Sequence, residues 1–324
     1  MNMHTHSIRP MILAPFDRPG EAALLGAAGA NELYGGVQPD CWGRTHLPAS
    51  QRTFDAAHFP SEDAFAAAVA EAQNAGLAVH LTLNAPLYDP ASCHALVDLA
   101  ERAADWGVAG VIAGDLGLLA RLQTRQLPLT LTLSTLAGAW NRQAVTFFRR
   151  FGVARVVLPR HLHLEEMGEI AAAHPDVEFE AFVLVGKCPN AEALCSFQHT
   201  AADRRWPCEI PYRLYTSSGV PLPEDHPVAL RQRLWQGCDR RDGCGLCAIP
   251  ELVQRRIRHL KIVGRGGPTA AKIANVELVA GFIRGGSPQT ARKAYRARFG
   301  RDCNPLVCYY PDHGAREDDI PVRP

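Results

Sequence analysis

The stretch "SEDAFAAAVAEAQNAGLAVHLTLN", residues 61–84, contains the two periodicities from which we infer the fold. Its first part has apolar residues at helical spacing, with Ser61 as the expected N-cap and Gly76 as the expected stop. Residues 77–84 then form a short apolar run of strand length. A helix that leads directly into a buried strand is the repeating unit of α/β proteins.

The same alternation continues outward along the chain in both directions. Eight strands, each followed by a helical stretch, are predicted over residues 11–16, 31–36, 77–84, 110–114, 129–136, 155–160, 177–186 and 258–266. Eight such units predict a (β/α)₈ TIM-like barrel, with a doubly wound open sheet as the alternative. We predict a single domain over residues 1–310 and a polar, mobile tail over residues 311–324.

The composition suits one large globular domain. The chain has 324 residues, 47% of them hydrophobic, and a formal net charge of +1. The overall charge therefore gives no indication of a nucleic-acid partner. Residues 251–300, however, carry 11 Lys and Arg against 2 Asp and Glu. This basic third would suit an anionic substrate or RNA, or is simply a solvated helical face.

Neither a secretory signal nor an apolar run long enough to cross a bilayer is found in the sequence. We therefore expect a cytoplasmic protein with no membrane insertion. The cytoplasm is reducing, so an abundance of cysteines there indicates metal or redox chemistry before disulfides.

Six of the ten cysteines fall between positions 188 and 247. They lie in a long cysteine-rich insertion, residues 187–250, that follows the predicted seventh strand. In a barrel, the loops that leave the carboxyl ends of the strands form the catalytic face. The six are Cys188, Cys195, Cys208, Cys238, Cys244 and Cys247.

The spacing of these cysteines favours a metal site but does not identify the metal. Only Cys244 and Cys247 form the close pair typical of zinc sites, and we find no second close pair to complete one. Wide and uneven spacings are compatible with an iron–sulfur cluster, so iron–sulfur and zinc both stay open. Buried cysteines without a ligand are the alternative, and we interpret Cys93, Cys303 and Cys308 in that way.

The chain resembles the peptidase U32 family. Glu180, Phe182, Cys188 and Cys195 match the spacing of the family motif. Three further blocks follow the family order: "ILAPFDRPGEAALLGAAGANELYGG", "LSTLAGAWNRQAVTFFRRFGVARVVLPRHLHLEEM" and "CAIPELVQRRIRHLKIVGR". The resemblance implies a barrel-like fold and a 4Fe-4S cluster on four cysteines. In this chain the implied ligands are Cys188, Cys195, Cys208 and Cys238, with Cys41, Cys244 and Cys247 in reserve.

The resemblance also implies an activity and partners. Studied members take part in oxygen-independent hydroxylation of tRNA, rRNA or the ubiquinone ring, and several take the oxygen atom from prephenate. The ubiquinone biosynthesis branch works as a pair of U32 proteins, so a second U32 protein is an expected heterodimer partner. We expect no further carboxyl-terminal domains of the kind that the longer RNA-modifying members have, which makes RNA the weaker expectation and a small molecule or quinone precursor the stronger one.

The sequence departs from the family pattern around the motif. Val185 occupies the position of the family's glycine, and Gly186 follows it. His161 occupies the position of an expected carboxylate. We infer a divergent branch with its own substrate.

Several polar residues fall at or just after predicted strand ends, where a barrel carries its catalytic groups. Arg160 and Arg265 would suit a dicarboxylate such as prephenate, because guanidinium binds carboxylate in a bidentate manner. Their alternative is a structural pairing with a carboxylate of the barrel. His161 is a candidate acid–base group or a surface residue. The predicted catalytic residues are Arg160, His161, Asn84, Lys261 and Arg265.

Three functional hypotheses follow. The first is an iron–sulfur enzyme that hydroxylates its substrate without dioxygen. The second is a peptidase, although neither HExxH nor GxSxG occurs in the sequence. The third is a non-catalytic, metal-stabilised subunit of a second U32 protein.

Overall fold

The protein is a closed barrel of eight parallel strands, seen in a computed structural model that describes residues 9–42, 49–52, 54–188, 190–195, 213–236 and 242–314. Each strand pairs with the next along the chain, and the eighth pairs with the first. The strands are β1 (Met11–Pro15), β2 (Glu32–Gly35), β3 (Ala78–Leu83), β4 (Gly110–Ala113), β5 (Thr130–Leu133), β6 (Val153–Val157), β7 (Glu178–Leu184) and β8 (His259–Ile262).

Helices follow the strands and cover the outside of the barrel. They are α1 (Glu21–Ala28), α2 (Glu62–Asn74), α3 (Pro90–Asp105), α4 (Leu116–Arg125), α5 (Arg142–Arg149), α6 (Leu164–Ala173), α7 (Pro227–Gln236), α8 (Ile249–Gln254), α9 (Thr269–Ile283), α10 (Pro288–Phe299) and α11 (Pro311–Gly314). The predicted TIM barrel is therefore confirmed, and the open-sheet alternative is wrong because β8 closes onto β1, with Met11 opposite His259.

The stretch over residues 61–84 folds as its pattern predicts. The Ser61 hydroxyl accepts a hydrogen bond from the Ala64 amide at 3.2 Å, which caps α2. Gly76 takes a left-handed φ of 73° and ends the helix before β3. The apolar faces of strand and helix meet in one core that includes the fully buried Phe65, Leu81 and Leu83.

The amino-terminal end of the barrel is filled by an ionic cluster around Glu32. Arg155 donates to both carboxylate oxygens of Glu32 at 3.0 Å. His259 Nδ1 lies 2.9 Å from one of these oxygens, and His80 Nε2 lies 3.3 Å from the other. Arg155 also donates to Glu178 at 2.8 Å. The cluster joins β2, β3, β6, β7 and β8, and this end of a barrel is the one that serves stability.

The cluster holds its carboxylates ionised and His259 protonated near pH 7. Burial alone raises the pKa of Glu32, but hydrogen bonds from His259 and His80 and the charge of Arg155 lower it well below its usual range. The hydrogen bond with His259 lowers the pKa of Glu178 to about 2. Burial lowers the pKa of His259, yet its bonds to Glu178 and Glu32 prevail and raise it from 6.5 to about 8.

The predicted tail and insertion are only partly within the described residues. Residues 311–314 form α11, and residues 315–324 lie outside the described ranges. The insertion leaves β7 and returns through α7 and α8 to β8. Within the described ranges, none of the helices combines the length and the apolar character that a membrane crossing requires.

We predict that His259 makes stability depend on pH. A folded-state pKa of about 8 against an ordinary 6.5 adds about 2 kcal/mol to the free energy of unfolding below pH 6.5, and this contribution disappears as pH rises through about 8. Urea denaturation between pH 6 and 9 should show the fall, and His259→Gln should remove it. His94→Gln, at an exposed position of α3, should leave it intact. An unchanged pH profile in His259→Gln would contradict the assignment.

Candidate active site at the carboxyl end of the barrel

A lysine and a carboxylate meet inside the barrel on its two last strands. Lys261 Nζ on β8 donates to Glu180 Oε1 on β7 at 2.6 Å. The same ammonium lies 4.1 Å from the centroid of the ring of Tyr34, the third residue of β2. Tyr34 itself donates to the Ile262 carbonyl at 2.9 Å. All three side chains are buried, so the site is positioned by strand register rather than by mobile loops.

Arg265 follows β8 and reaches across the barrel toward β3. Its guanidinium donates to Thr82 Oγ1 at 2.8 Å and to Ser50 Oγ at 3.1 Å. A Cβ atom at Gly36 would lie 2.8 Å from both Arg265 Nη1 and Thr82 Oγ1. Gly36 therefore has to be a glycine if the guanidinium is to approach the end of β2 so closely.

Burial shifts the titration of these groups. It lowers the pKa of Lys261 despite the pairing with Glu180, and it lowers the pKa of Arg265 to about 10. It raises the pKa of Tyr34 to about 12. Burial, with the charge of Arg265 in addition, lowers the pKa of His58 to about 4, so His58 is neutral near pH 7. Perturbed groups of this kind gather at functional sites.

Arg160, just after β6, is a second buried cation. It is paired with Glu192 of the insertion, and its guanidinium lies 3.7 Å from the centroid of the Phe182 ring. Burial lowers the pKa of Arg160, but Glu192, Tyr309 and Cys188 together hold it above its usual value. Cys188 is thus an electrostatic neighbour of Arg160, which brings the first motif cysteine next to a predicted catalytic residue.

The turn from β7 to Cys188 has an unusual backbone. Val185 has a φ of 66°, and Gly186 has a φ of 72°. A positive φ is costly for a β-branched residue and costs glycine little. Val185 therefore keeps the conformation that favours the glycine it replaces, held by a 2.6 Å hydrogen bond from its amide to the Gly243 carbonyl.

A cavity of about 1000 Å³ opens beside this turn. Its lining includes Arg160, His161, Lys187, Cys188 and Tyr309. The cavity is therefore bounded by the loops after β6 and β7 and by the carboxyl-terminal segment. Its size is that of a site for a small molecule.

The sequence profile of peptidase family U32 matches residues 20–300. The chain belongs to peptidase family U32. The solved structure of the U32 peptidase Mk0906 superposes on it with a TM-score of 0.52 at 16% identity, covering 80% of this chain and 94% of that one. At this identity the likeness supports the fold alone.

Curated relatives match a part of their own length. tRNA hydroxylation protein P of Haemophilus influenzae is 26% identical over 191 residues, which are 59% of this chain and 39% of that protein. tRNA hydroxylation protein P1 of Bacillus subtilis is 27% identical over 209 residues, 60% of this chain and 46% of that protein. tRNA hydroxylation protein P of Escherichia coli is 34% identical over 91 residues, which are 28% of this chain and 20% of that protein. The chain spans less than half the length of the curated relatives it matches.

The five predicted catalytic residues of this U32 protein do not form one cluster. Lys261 and Arg265 lie inside the barrel, and Arg160 lies beside Cys188. Asn84 accepts a hydrogen bond from the Gln51 amide at 3.4 Å and so supports a loop. His161 is exposed, with its ring at the edge of Trp140 at a centroid distance of 6.0 Å.

The basic character of residues 251–300 is partly internal. Lys261 and Arg265 point into the barrel, and Lys272 is buried in ion pairs with Asp17 at 2.7 Å and Glu21 at 2.8 Å. The surface of this segment is therefore less basic than its composition indicates.

The predicted ligand set is described only in part. Cys188 and Cys195 are reduced cysteines that flank a short helical turn, whereas Cys208 and Cys238 lie outside the described residues. The reserve ligand Cys41 is exposed and interacts electrostatically with Arg102 of α3. In the part of the chain that the structure describes, no group of three or more His, Cys, Asp or Glu side chains already has the spacing of a bound metal ion.

Four other cysteines lie close together in the structure, although we found no reason in the sequence to group them. Cys244 and Cys308 face each other in a backbone bridge, and the side chains of Cys247 and Cys303 lie beside that of Cys308. Our interpretation that no second close pair exists was wrong, because Cys303 and Cys308 are separated by four residues, a spacing found in zinc sites. This pair follows β8 and lies outside the cysteine-rich insertion.

Several buried polar atoms of the site have no hydrogen-bond partner among the described residues. They are Arg160 Nε, Glu180 Oε2, Glu192 Oε2 and His58 Nδ1. Buried polar atoms are nearly always satisfied, so such a concentration at one end of the barrel indicates a place for water or a ligand.

We predict that Lys261 and Glu180 depend on each other. Lys261→Met leaves the Glu180 carboxylate buried without its cation, which should lower the free energy of unfolding by about 3–5 kcal/mol. The double variant Lys261→Met/Glu180→Gln should recover most of the loss in urea denaturation. Lys293→Met, at an exposed position of α10, is the control and should have little effect. Additive effects of the two single changes would rule out the coupling.

Proposed function

We propose that this U32 protein acts in a hydroxylation that does not use dioxygen, with a 4Fe-4S cluster on Cys188, Cys195, Cys208 and Cys238. The observation that carries the proposal is the position of Cys188, next to buried Arg160 at the carboxyl end of the barrel. The names of the curated relatives, tRNA hydroxylation proteins, support the reaction class.

The donor chemistry fits such a cluster. Thiolates are the ligands of iron–sulfur clusters, and neither Cys188 nor Cys195 is in a disulfide. Arg160 and Cys188 line the same cavity, which places a positive charge beside the first proposed ligand. When bound on four cysteines, the cluster would have a thiolate on every iron, and it would supply electron transfer.

The residues of the chain itself would bind and orient an anionic molecule. Lys261 and Arg265 are buried cations, and the Arg160 side chain is only 11% exposed, so attraction for a carboxylate is stronger there than in water. Arg160 keeps Nε available for a further hydrogen bond. A small dicarboxylate such as prephenate, as oxygen donor, has the charge for this site.

The enclosure of Lys261 and Arg265 favours a small molecule or quinone precursor as the substrate that is hydroxylated. A tRNA base is the second candidate, and it is favoured by the names of the relatives. A second U32 protein as partner is compatible with either one. The two substrates differ in one measurable respect, since binding of tRNA should weaken steeply as salt rises.

The first test is the metal content of protein purified without oxygen. We expect a brown protein with about four irons and four sulfides per chain. Cys188→Ala and Cys208→Ala should each lose most of the iron and the visible band. Cys93→Ala, at a buried position in α3 outside the motif, is the matched control and should keep both. Cys41→Ala measures whether the reserve ligand takes part.

Two outcomes would overturn the proposal. Iron that persists in Cys188→Ala and Cys208→Ala would reject the ligand set. A colourless wild-type protein that hydrolyses peptides would favour the peptidase hypothesis that the family name carries. A protein that holds the cluster but turns over substrate only beside a second U32 protein would support the partner-subunit hypothesis.

A further inference from the structure

We infer that Cys244, Cys247, Cys303 and Cys308 form a second metal site, a tetrahedral zinc site that fastens the carboxyl-terminal segment to the end of β7. It is distinct from the proposed cluster ligands and does not depend on the proposed function. Two close pairs, CxxC and CxxxxC, supply four thiolates, the ligand set of structural zinc sites.

The backbone already brings the two pairs together. The Cys244 amide donates to the Val307 carbonyl at 2.9 Å, and the Tyr309 amide donates to the Cys244 carbonyl at 2.7 Å. Cys244 is therefore opposite Cys308, although 63 residues and the whole of β8 separate them in sequence. Cys247 follows within a tight helical turn over Leu246–Ala248.

The sulfur atoms are also close. The side chains of Cys247 and Cys303 both lie beside that of Cys308. Zinc–sulfur bonds of about 2.3 Å in a tetrahedron require sulfurs about 3.8 Å apart. No described group of side chains already surrounds a common centre, so the thiols have to turn about their Cα–Cβ bonds to bind the ion.

Neighbouring contacts indicate what the site would hold in place. Tyr310 donates to the Phe182 carbonyl at 2.9 Å, and Tyr309 donates to the Val185 carbonyl at 2.5 Å. The Tyr309 and Phe182 rings are stacked, with their centroids 6.2 Å apart, and the guanidinium of Arg160 lies over the Phe182 ring. Zinc at the four cysteines would therefore fix the segment that lines the cavity beside Cys188.

The test is zinc and iron analysis of the full chain and its variants. Wild type should hold about one zinc per chain, whatever its iron content. Cys247→Ser and Cys303→Ser, both at half-buried positions, should each reduce zinc about tenfold and leave iron unchanged. Cys188→Ala should reduce iron and leave zinc unchanged. Cys93→Ser should change neither zinc nor iron. Failure of the proposed function is thus distinguishable from failure of this site.

Spectroscopy and stability give independent readouts. Cobalt substituted for zinc should show the visible bands of tetrahedral thiolate coordination, and Cys303→Ser should lose them. A zinc chelator should lower the Tm of wild type by about 5 °C and have no further effect on Cys303→Ser. Wild type without zinc, iron loss in Cys247→Ser, or a disulfide among the four cysteines in freshly purified protein would each overturn the inference.

Discussion

The rest of the structure depends on the contacts that the buried carboxylate of Glu32 makes with cationic side chains. It accepts hydrogen bonds from Arg155 and faces His80 and His259, so strands from all around the barrel converge on one charge. A buried carboxylate without partners would be strongly unfavourable, and the register of these strands is therefore constrained at the amino-terminal end. That constraint positions the same strands at their other end, where Tyr34 and Lys261 lie two residues further along β2 and β8.

The two ends of the barrel use buried charge differently. At the amino-terminal end, Arg155 satisfies both oxygens of Glu32, and the neighbouring charges reinforce each other. At the carboxyl end, Glu180 and Glu192 each keep one buried oxygen without a partner among the described residues, and Arg265 is bonded only to hydroxyl groups there. The arrangement at the amino-terminal end stabilises the fold. The arrangement at the carboxyl end leaves buried polar atoms that can bind a ligand.

The site could be predicted in part. The rule that barrels carry function at strand carboxyl ends selected Lys261, Arg265 and Arg160, and the structure places all three at that end, because strand ends can be located from periodicity. It also selected Asn84 and His161, which the structure places in a loop contact and on the surface. Sequence gives the position of a residue along a strand, but not which way its side chain lies or whether a neighbour has already taken its hydrogen bonds. Glu192 and Phe182, the immediate partners of Arg160, could not be paired with it from the sequence for that reason.

The sequence alone predicted the barrel, with an open sheet as the alternative, because eight alternations of strand and helix leave few other ways to bury every apolar face; the pairing of β8 with β1 decided between the two. It also determined the family, through the motif at Glu180, Phe182, Cys188 and Cys195. Only the tertiary structure decided which distant residues meet. Cys244 and Cys308 are far apart along the chain, and their approach depends on closure of β8 onto β1 and on the return of the last segment to β7. Long-range pairing of this kind leaves no local periodicity in the sequence, so periodicity could not predict it.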